Sequence, residues 1–221
     1  MRADPRTALR RLYRQLTPMN LTETRIREYD RRATASDETE TATFGLGCFW
    51  GPDAQFGAVD GVVRTRVGYA GGTSRDPTYH SLGDHTEVFQ VEFDPATVTY
   101  RELLELVFES HAPNRQTRNT QYQNAVLTAT AAQQATLTEF LSSRGFTADG
   151  IGTRIEQLSR FYPAEDYHQK YKLRSVSSLM DAFDEAGYDD EAVRESPIAA
   201  KLNGYAAGHD VAVLEEPPAS E

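Results

Sequence analysis

Thr41-Ala42-Thr43-Phe44-Gly45-Leu46-Gly47-Cys48-Phe49-Trp50-Gly51-Pro52-Asp53-Ala54-Gln55-Phe56 is the stretch that decides how this chain is read. Thr41 to Leu46 reads as a short buried strand. From Pro52 the pattern reads as the first turn of a helix, because the missing N–H of proline has no partner at the first helical position. Between the two lie the only cysteine and the only tryptophan of the protein, Cys48 and Trp50. A cysteine at such a junction meets the helix dipole and free N–H groups, which favour an anion. Its thiol pKa is therefore expected to be lowered, and the thiolate is the nucleophile. Phe49 and Trp50 put an aromatic wall beside it, and Gly47 and Gly51 are expected to let backbone approach closely. The competing reading is a small buried hydrophobe, the usual fate of a free cysteine.

The pattern continues outward in mixed order. Val62 to Val67 alternates like a strand, and Gly68-Tyr69-Ala70-Gly71-Gly72 reads as a flexible loop. A turn at Asp76 to His80 precedes Asp84-His85-Thr86-Glu87. From Glu87 a second strand places Phe89, Val91 and Phe93 on one face. Tyr100 to His111 carries a helical stripe of Leu103, Leu104, Val107 and Phe108. A polar loop, Pro113 to Gln121, leads to a strand at Ala125 to Leu127. Ala131 to Ser142 reads as a helix and Thr153 to Leu158 as a strand. Phe161 to Gln169 is a dense aromatic and ionisable cluster. Val176 to Ala186 and Ala192 to Asn203 read as closing helices. The fold class expected is α/β or α+β, one domain with a mixed sheet covered by helices.

Residues 1–40 differ from the rest. Thr7 to Leu16 reads as an amphipathic helix with arginines on its polar faces, expected to pack on its own domain rather than on a membrane. Arg31 to Thr41 reads as a polar linker. The domain is thus expected at 41–205, after an extension at 1–40 and before an acidic, mobile tail at 206–221. A chain of 221 residues with net charge -10 is a poor nonspecific binder of nucleic acid. One cysteine forbids an internal disulfide and suits a reducing, cytoplasmic setting. No apolar run spans a bilayer, so no membrane partner is expected. The three lysines, Lys170, Lys172 and Lys201, leave the positive charge almost wholly to arginine.

The candidate chemistry is that of a thiol with a proton donor. Cys48 attacks an electrophile. Glu87, if buried beside Phe49 and Trp50, has a raised pKa and serves as the donor. Tyr79, Tyr122, Tyr162 and Tyr167 offer O–H donors to an oxygen in an apolar pocket. This suits a polar S=O or C=O group carrying an apolar substituent. His80, His85, Glu87 and Cys48 are conceivable metal ligands, but their spacing matches neither HExxH nor a cysteine pair, and no metal is expected.

Gly47-Cys48-Phe49-Trp50-Gly51 resembles the signature of the peptide methionine sulfoxide reductase A family. The resemblance continues through Val67 to Gly72, Pro77-Thr78-Tyr79, His85-Thr86-Glu87-Val88, Phe93-Asp94-Pro95, Gln121-Tyr122 and Phe161 to Gln169. It covers roughly 42–171. It implies a two-layer, ferredoxin-like sandwich and reduction of the S epimer of methionine sulfoxide, free or in oxidised proteins. By position, Cys48 attacks sulfur and becomes a sulfenic acid. Glu87 protonates the oxygen, and Tyr79 and Tyr122 hold it. Phe49 and Trp50 take the methyl group, with Asp166, Tyr167 and His168 near the substrate. No cofactor is implied beyond an external thiol reductant, which is a small thiol or a thioredoxin-like or glutaredoxin-like protein.

Two departures stand out. Gly204 to His209 lacks the further cysteines that many members carry to resolve the sulfenic acid. Thr117 stands where the family has an acid, and Gln123 where it often has arginine. The alternatives are a binding or sensing module for oxidised methionine on the same fold, or a cysteine hydrolase with His168 or His85 as base.

Overall fold

The computed structural model describes residues 21–33 and 38–211. The expected helix at Thr7 to Leu16 and the end of the acidic tail lie outside them. The helices are α1 (Glu23–Arg32), α2 (Trp50–Gly57), α3 (Tyr100–Glu109), α4 (Ala131–Ser143), α5 (Tyr171–Arg174), α6 (Ser177–Glu185), α7 (Asp190–Glu195) and α8 (Pro197–Ala206). The strands are β1 (Glu40–Leu46), β2 (Val62–Ala70), β3 (Thr86–Phe93), β4 (Asn124–Thr128), β5 (Arg154–Gln157) and β6 (Phe161–Pro163). They form one six-stranded sheet in the order β5-β4-β1-β3-β2-β6. Only β4 and β5 run parallel, with α4 as their crossover. The sheet is therefore mixed, in a single α/β domain.

Side-chain alternation decides which face is covered. Phe44 lies opposite Phe89 on one side and Val126 on the other. Glu87, Phe89, Val91 and Phe93 share that face, since strand side chains alternate with a period of two. There they join Phe56 of α2, Leu103, Leu104 and Val107 of α3, and Phe140 and Leu141 of α4 in one core. Burying each such side chain contributes about 1.5–3 kcal/mol. α3 starts at a capping box, in which Thr99 and Glu102 satisfy each other's free N–H groups. The other face is more polar. Arg64 and Arg66 both bind Glu92, and Arg66 also binds Glu195 of α7.

The C-terminal helices form a second core. α1 inserts Ile26 among Leu173, Phe183, Ile198 and Leu202. Asp30 accepts from the Ile198 N–H and the Tyr188 hydroxyl. α8 crosses α2 at two glycines. A Cβ at Gly204 would lie 2.8 Å from the Ala54 carbonyl oxygen, and one at Gly57 would collide with the Ala200 carbonyl oxygen. Beneath this crossing lies a buried polar cluster. Asp53 of α2 accepts from Thr65 of β2 and Asn203 of α8, and faces Lys170 Nζ at 3.9 Å. Lys170 is fully buried and sits in the left-handed region, φ 53. Its ammonium also donates to the Thr65 carbonyl oxygen.

Several expectations are corrected by the backbone. The helix after Cys48 begins at Trp50, two residues before Pro52, because Phe49 already accepts from the Asp53 N–H. Gly68, Tyr69 and Ala70 are not loop. They extend β2 and pair with β3 and β6, so the loop begins at Gly71, φ 76. The short strand β6 lies within the aromatic cluster and helix α5 just after it, and neither was expected. Ser196-Pro197 divides the expected closing helix into α7 and α8, and α8 continues through Gly204 and Tyr205. No helix among the described residues is long and apolar enough to cross a membrane.

Candidate active site

Cys48 is exposed at the turn between β1 and α2. Gly47 makes that turn possible through its positive φ, 72. The expected close approach of backbone does not occur, since a Cβ at Gly47 or Gly51 would meet nothing within 4 Å. The expected fall in the thiol pKa is also corrected. Burial of the sulfur pushes it up and the charge of Glu87 adds to that, whereas the Trp50 N–H and Lys172 pull it down. The pull of the helix start on the thiol thus has the expected direction but does not outweigh desolvation.

Glu87 is 1% exposed at the start of β3, on the helix-covered face. Its Oε2 accepts from the Phe49 N–H at 3.2 Å and its Oε1 from Gln121 Nε2 at 2.8 Å. Burial raises its pKa, against the pull of these two donors. This is the direction expected from the sequence. The residue after Cys48 thus hands its free N–H to the candidate acid, which ties the two together.

Tyr79 and Tyr122 come from separate stretches of chain and lie near enough for Tyr79 to raise the Tyr122 pKa. The Tyr122 hydroxyl has a raised pKa, from burial first and then from Glu87, Tyr79 and Cys48, so it remains a donor. Tyr79 is held from behind. Its N–H donates to Glu165 Oε1 at 2.9 Å, while Glu165 Oε2 accepts from the Tyr69 hydroxyl at 2.8 Å.

His168 is the hub of an aromatic box. It is 2% exposed, and its ring touches those of Phe49, Trp50, Tyr79 and Tyr167 at centroid distances of 5.3, 5.7, 4.8 and 4.2 Å. Its Nδ1 accepts from Trp50 Nε1 at 3.3 Å, while its buried Nε2 has no hydrogen-bond partner among the described residues and lies 4.0 Å from Glu165 Oε2. Burial holds its pKa down, against Glu165 and with His80, which favours the neutral ring. Trp50 stacks on Tyr171 at 3.7 Å and 5°. Phe49 is buried and Trp50 half-buried.

The remaining expected residues lie further out. Tyr167 is 54% exposed, and Asp166 is exposed and 3.7 Å from Arg194. Tyr162 is on β6 with its ring against His85. Thr117 is exposed and its N–H donates to Gln116. Gln123 accepts from Arg154 Nη1 at 3.0 Å, so a guanidinium from β5 reaches the place where the resemblance leads one to expect arginine. Sequence reasoning missed Gln121 as the partner of Glu87, the Tyr69–Glu165 brace, and Tyr171. Gln121 was visible only as a motif neighbour of Tyr122. Tyr69 was hidden by the reading of Gly68 to Gly72 as a loop.

The family model of peptide methionine sulfoxide reductase matches residues 40–196. The chain belongs to this family. Among its relatives, the peptide methionine sulfoxide reductase of Drosophila melanogaster is 40% identical over 171 residues, 76% of this chain and 68% of that protein. The peptide methionine sulfoxide reductase MsrA of Haloquadratum walsbyi is 43% identical over 149 residues, 63% of this chain and 86% of that protein. The solved structure of methionine sulfoxide reductase A of Corynebacterium diphtheriae superposes with a TM-score of 0.52 at 35% identity, over 63% of this chain and 76% of that one. Membership in the peptide methionine sulfoxide reductases makes the chain an oxidoreductase acting on methionine sulfoxide.

Proposed function

We propose that the chain reduces the S epimer of methionine sulfoxide, free or in polypeptides, through a sulfenic acid on Cys48. The observation that carries this reading is Glu87, a buried carboxyl with a raised pKa, hydrogen-bonded to the N–H of the residue after an exposed cysteine. Phe49 and Trp50 wall the pocket for the S-methyl group, with His168 completing it and Tyr167 outside, at its rim. Asp166, paired with Arg194, steadies the turn that carries His168.

Cys48 Sγ attacks the sulfoxide sulfur as the thiol gives up its proton. Glu87 protonates the sulfoxide oxygen, and the Tyr79 and Tyr122 hydroxyls donate hydrogen bonds to it. The S–O bond of the substrate breaks and the oxygen ends on Cys48. Sulfoxide and thiol thus become methionine and sulfenic acid, with two electrons moving from the cysteine. The sequence contains no second cysteine. One external thiol therefore condenses with the sulfenic acid, releasing water and forming a mixed disulfide. A second thiol reduces that disulfide and restores Cys48. A thioredoxin-like or glutaredoxin-like protein or a small thiol serves, in a reducing cytoplasm.

We further infer the ferredoxin-like, two-layer type for the central sheet. The succession β1-α2-β2-β3-α3-β4 with strand order β4-β1-β3-β2 supports it. The deciding experiment on function is a single turnover of reduced protein without added thiol, on each sulfoxide epimer separately. The expected result is about one methionine per protein from the S epimer alone, with Cys48 trapped as sulfenic acid. Binding without methionine release would instead establish a sensing module.

A further inference from the structure

Tyr167 and Tyr171 are large apolar side chains that stay exposed, at 54% and 37%. Both line one open groove of ≈ 420 Å³, together with Arg174, Ser175 and Asp190. The volume falls within the range of ligand clefts, about 300–1,000 Å³. Each tyrosine is backed by a member of the aromatic box: Tyr171 stacks on Trp50 at 3.7 Å, and Tyr167 lies 4.2 Å from His168. The groove therefore begins one ring beyond the wall of the methyl pocket. That step is close to the ~3.3–3.6 Å spanned by one residue of extended chain.

The polar side of the groove is incompletely used. Arg174 directs Nε to the Gln169 carbonyl oxygen at 2.8 Å and Nη1 to Asp190 Oδ1 at 2.8 Å. Its Nη2 is shielded and has no hydrogen-bond partner among the described residues. A shielded donor without an acceptor is costly, and a carbonyl oxygen would satisfy it. The Asp190 side chain, 58% exposed, has acceptor capacity left for an N–H. Flat tyrosine faces beside an arginine donor and a carboxylate acceptor suit an extended backbone, and Tyr and Arg carry much of the binding energy at protein interfaces.

We propose that this groove binds the polypeptide segment adjoining the oxidised methionine, so that a peptide gains contacts that the free amino acid lacks. The proposal rests on the reductase reading for where the sulfoxide sits. Its test reads binding and so does not depend on turnover. In a Cys48→Ser background, fluorescence of the sole tryptophan, Trp50, follows titration with free methionine sulfoxide and with a peptide holding it at a central position. The expected result is peptide binding about tenfold tighter than that of the free sulfoxide. Arg174→Gln and Ser175→Phe, which fills the groove, abolish this advantage and leave the free sulfoxide within twofold. Should either variant disturb folding, the exposed Asp190→Asn change reads the same loss. Equal affinity for peptide and free sulfoxide overturns the proposal, as does a peptide advantage that survives the variants. So does a parallel loss of both ligands, which would mean that the variants distort the box. Failure of the parent protein to release methionine, with the peptide preference intact, would sink the reductase reading and leave the groove standing.

Discussion

Lys170→Met is the perturbation that best tests how the site is held. Lys170 and Asp53 are both 0% exposed, with Nζ 3.9 Å from the carboxylate. At an effective dielectric constant of about 20, that separation corresponds to about 4 kcal/mol of attraction. Burial lowers the Lys170 pKa and Asp53 opposes the fall, so the pair is set against a large desolvation cost. In Lys170→Met the carboxylate keeps its hydrogen bonds from Thr65 and Asn203 but loses its countercharge. Removing one member of a buried pair costs about 3–5 kcal/mol. Asp53→Asn leaves the amine unpaired, and the amine can shed its proton, so its cost is smaller. In the double variant neither charge remains, and the loss falls short of the sum of the single losses by about 2 kcal/mol. The assay is urea unfolding of the four proteins, compared at constant m-value. Losses that add within about 0.5 kcal/mol would refute the claim that these two side chains act as a pair.

Four further outcomes follow from the geometry. In Glu87→Gln, the alkylation of Cys48 by iodoacetamide titrates at lower pH than in the parent, because the ionised carboxylate that raises the thiol pKa is gone. Turnover falls by about 10²–10⁴ in the same variant, the usual contribution of a general acid, and an unchanged rate would remove Glu87 from the mechanism. Gly57→Ala forces a Cβ onto the Ala200 carbonyl oxygen and loses about 1–3 kcal/mol, whereas Gly51→Ala, with open space, gains up to about 1 kcal/mol; thermal melts separate the two. Glu195 is pushed up by burial but held down at about 2 by Arg66 and Arg194, against an ordinary value of 4.5. Its stabilisation is present above pH 4.5 and is lost as pH falls towards 2. A side chain 36% exposed retains about 1–2 kcal/mol of it after screening. The stability gap between parent and Glu195→Gln therefore closes over that acid range, and a constant gap would refute the linkage.

The sequence was most legible where a local period coincided with burial. Phe89, Val91 and Phe93 announced β3 and its covered face, and Leu103, Leu104 and Val107 announced α3. Glu87 was legible because a carboxylate that opens an apolar strand has little to pair with. The thiol pKa went the other way because desolvation is a three-dimensional quantity. The N–H at the start of α2 could be read from Cys48-Phe49-Trp50, but the packing around the sulfur could not. Tyr69 and Glu165 meet across 96 positions of chain, and no local pattern marks such a pair. No local pattern marks the burial of Lys170, which goes with a left-handed backbone that composition does not signal. β6 was missed because three residues give no periodicity, and Gly68 to Ala70, expected as loop, are strand because they pair with β3 on one side and β6 on the other.

The placement of the lysines has a practical consequence for handling this protein. Lys170 and Lys201 are buried, at 0% and 3% exposure, and their ammonium groups donate to backbone carbonyls. Lys172 is the lysine left within reach of solvent, and it sits beside the Tyr171 ring, close enough to Cys48 to influence its charge. An amine-reactive dye or cross-linker will find one lysine side chain, beside Tyr171 and on the side of Cys48, besides the α-amino group. Coupling to a resin through lysine would hold the molecule with its Cys48 side facing the support. A dye attached there would report from a fixed position on changes around Tyr171 and Cys48.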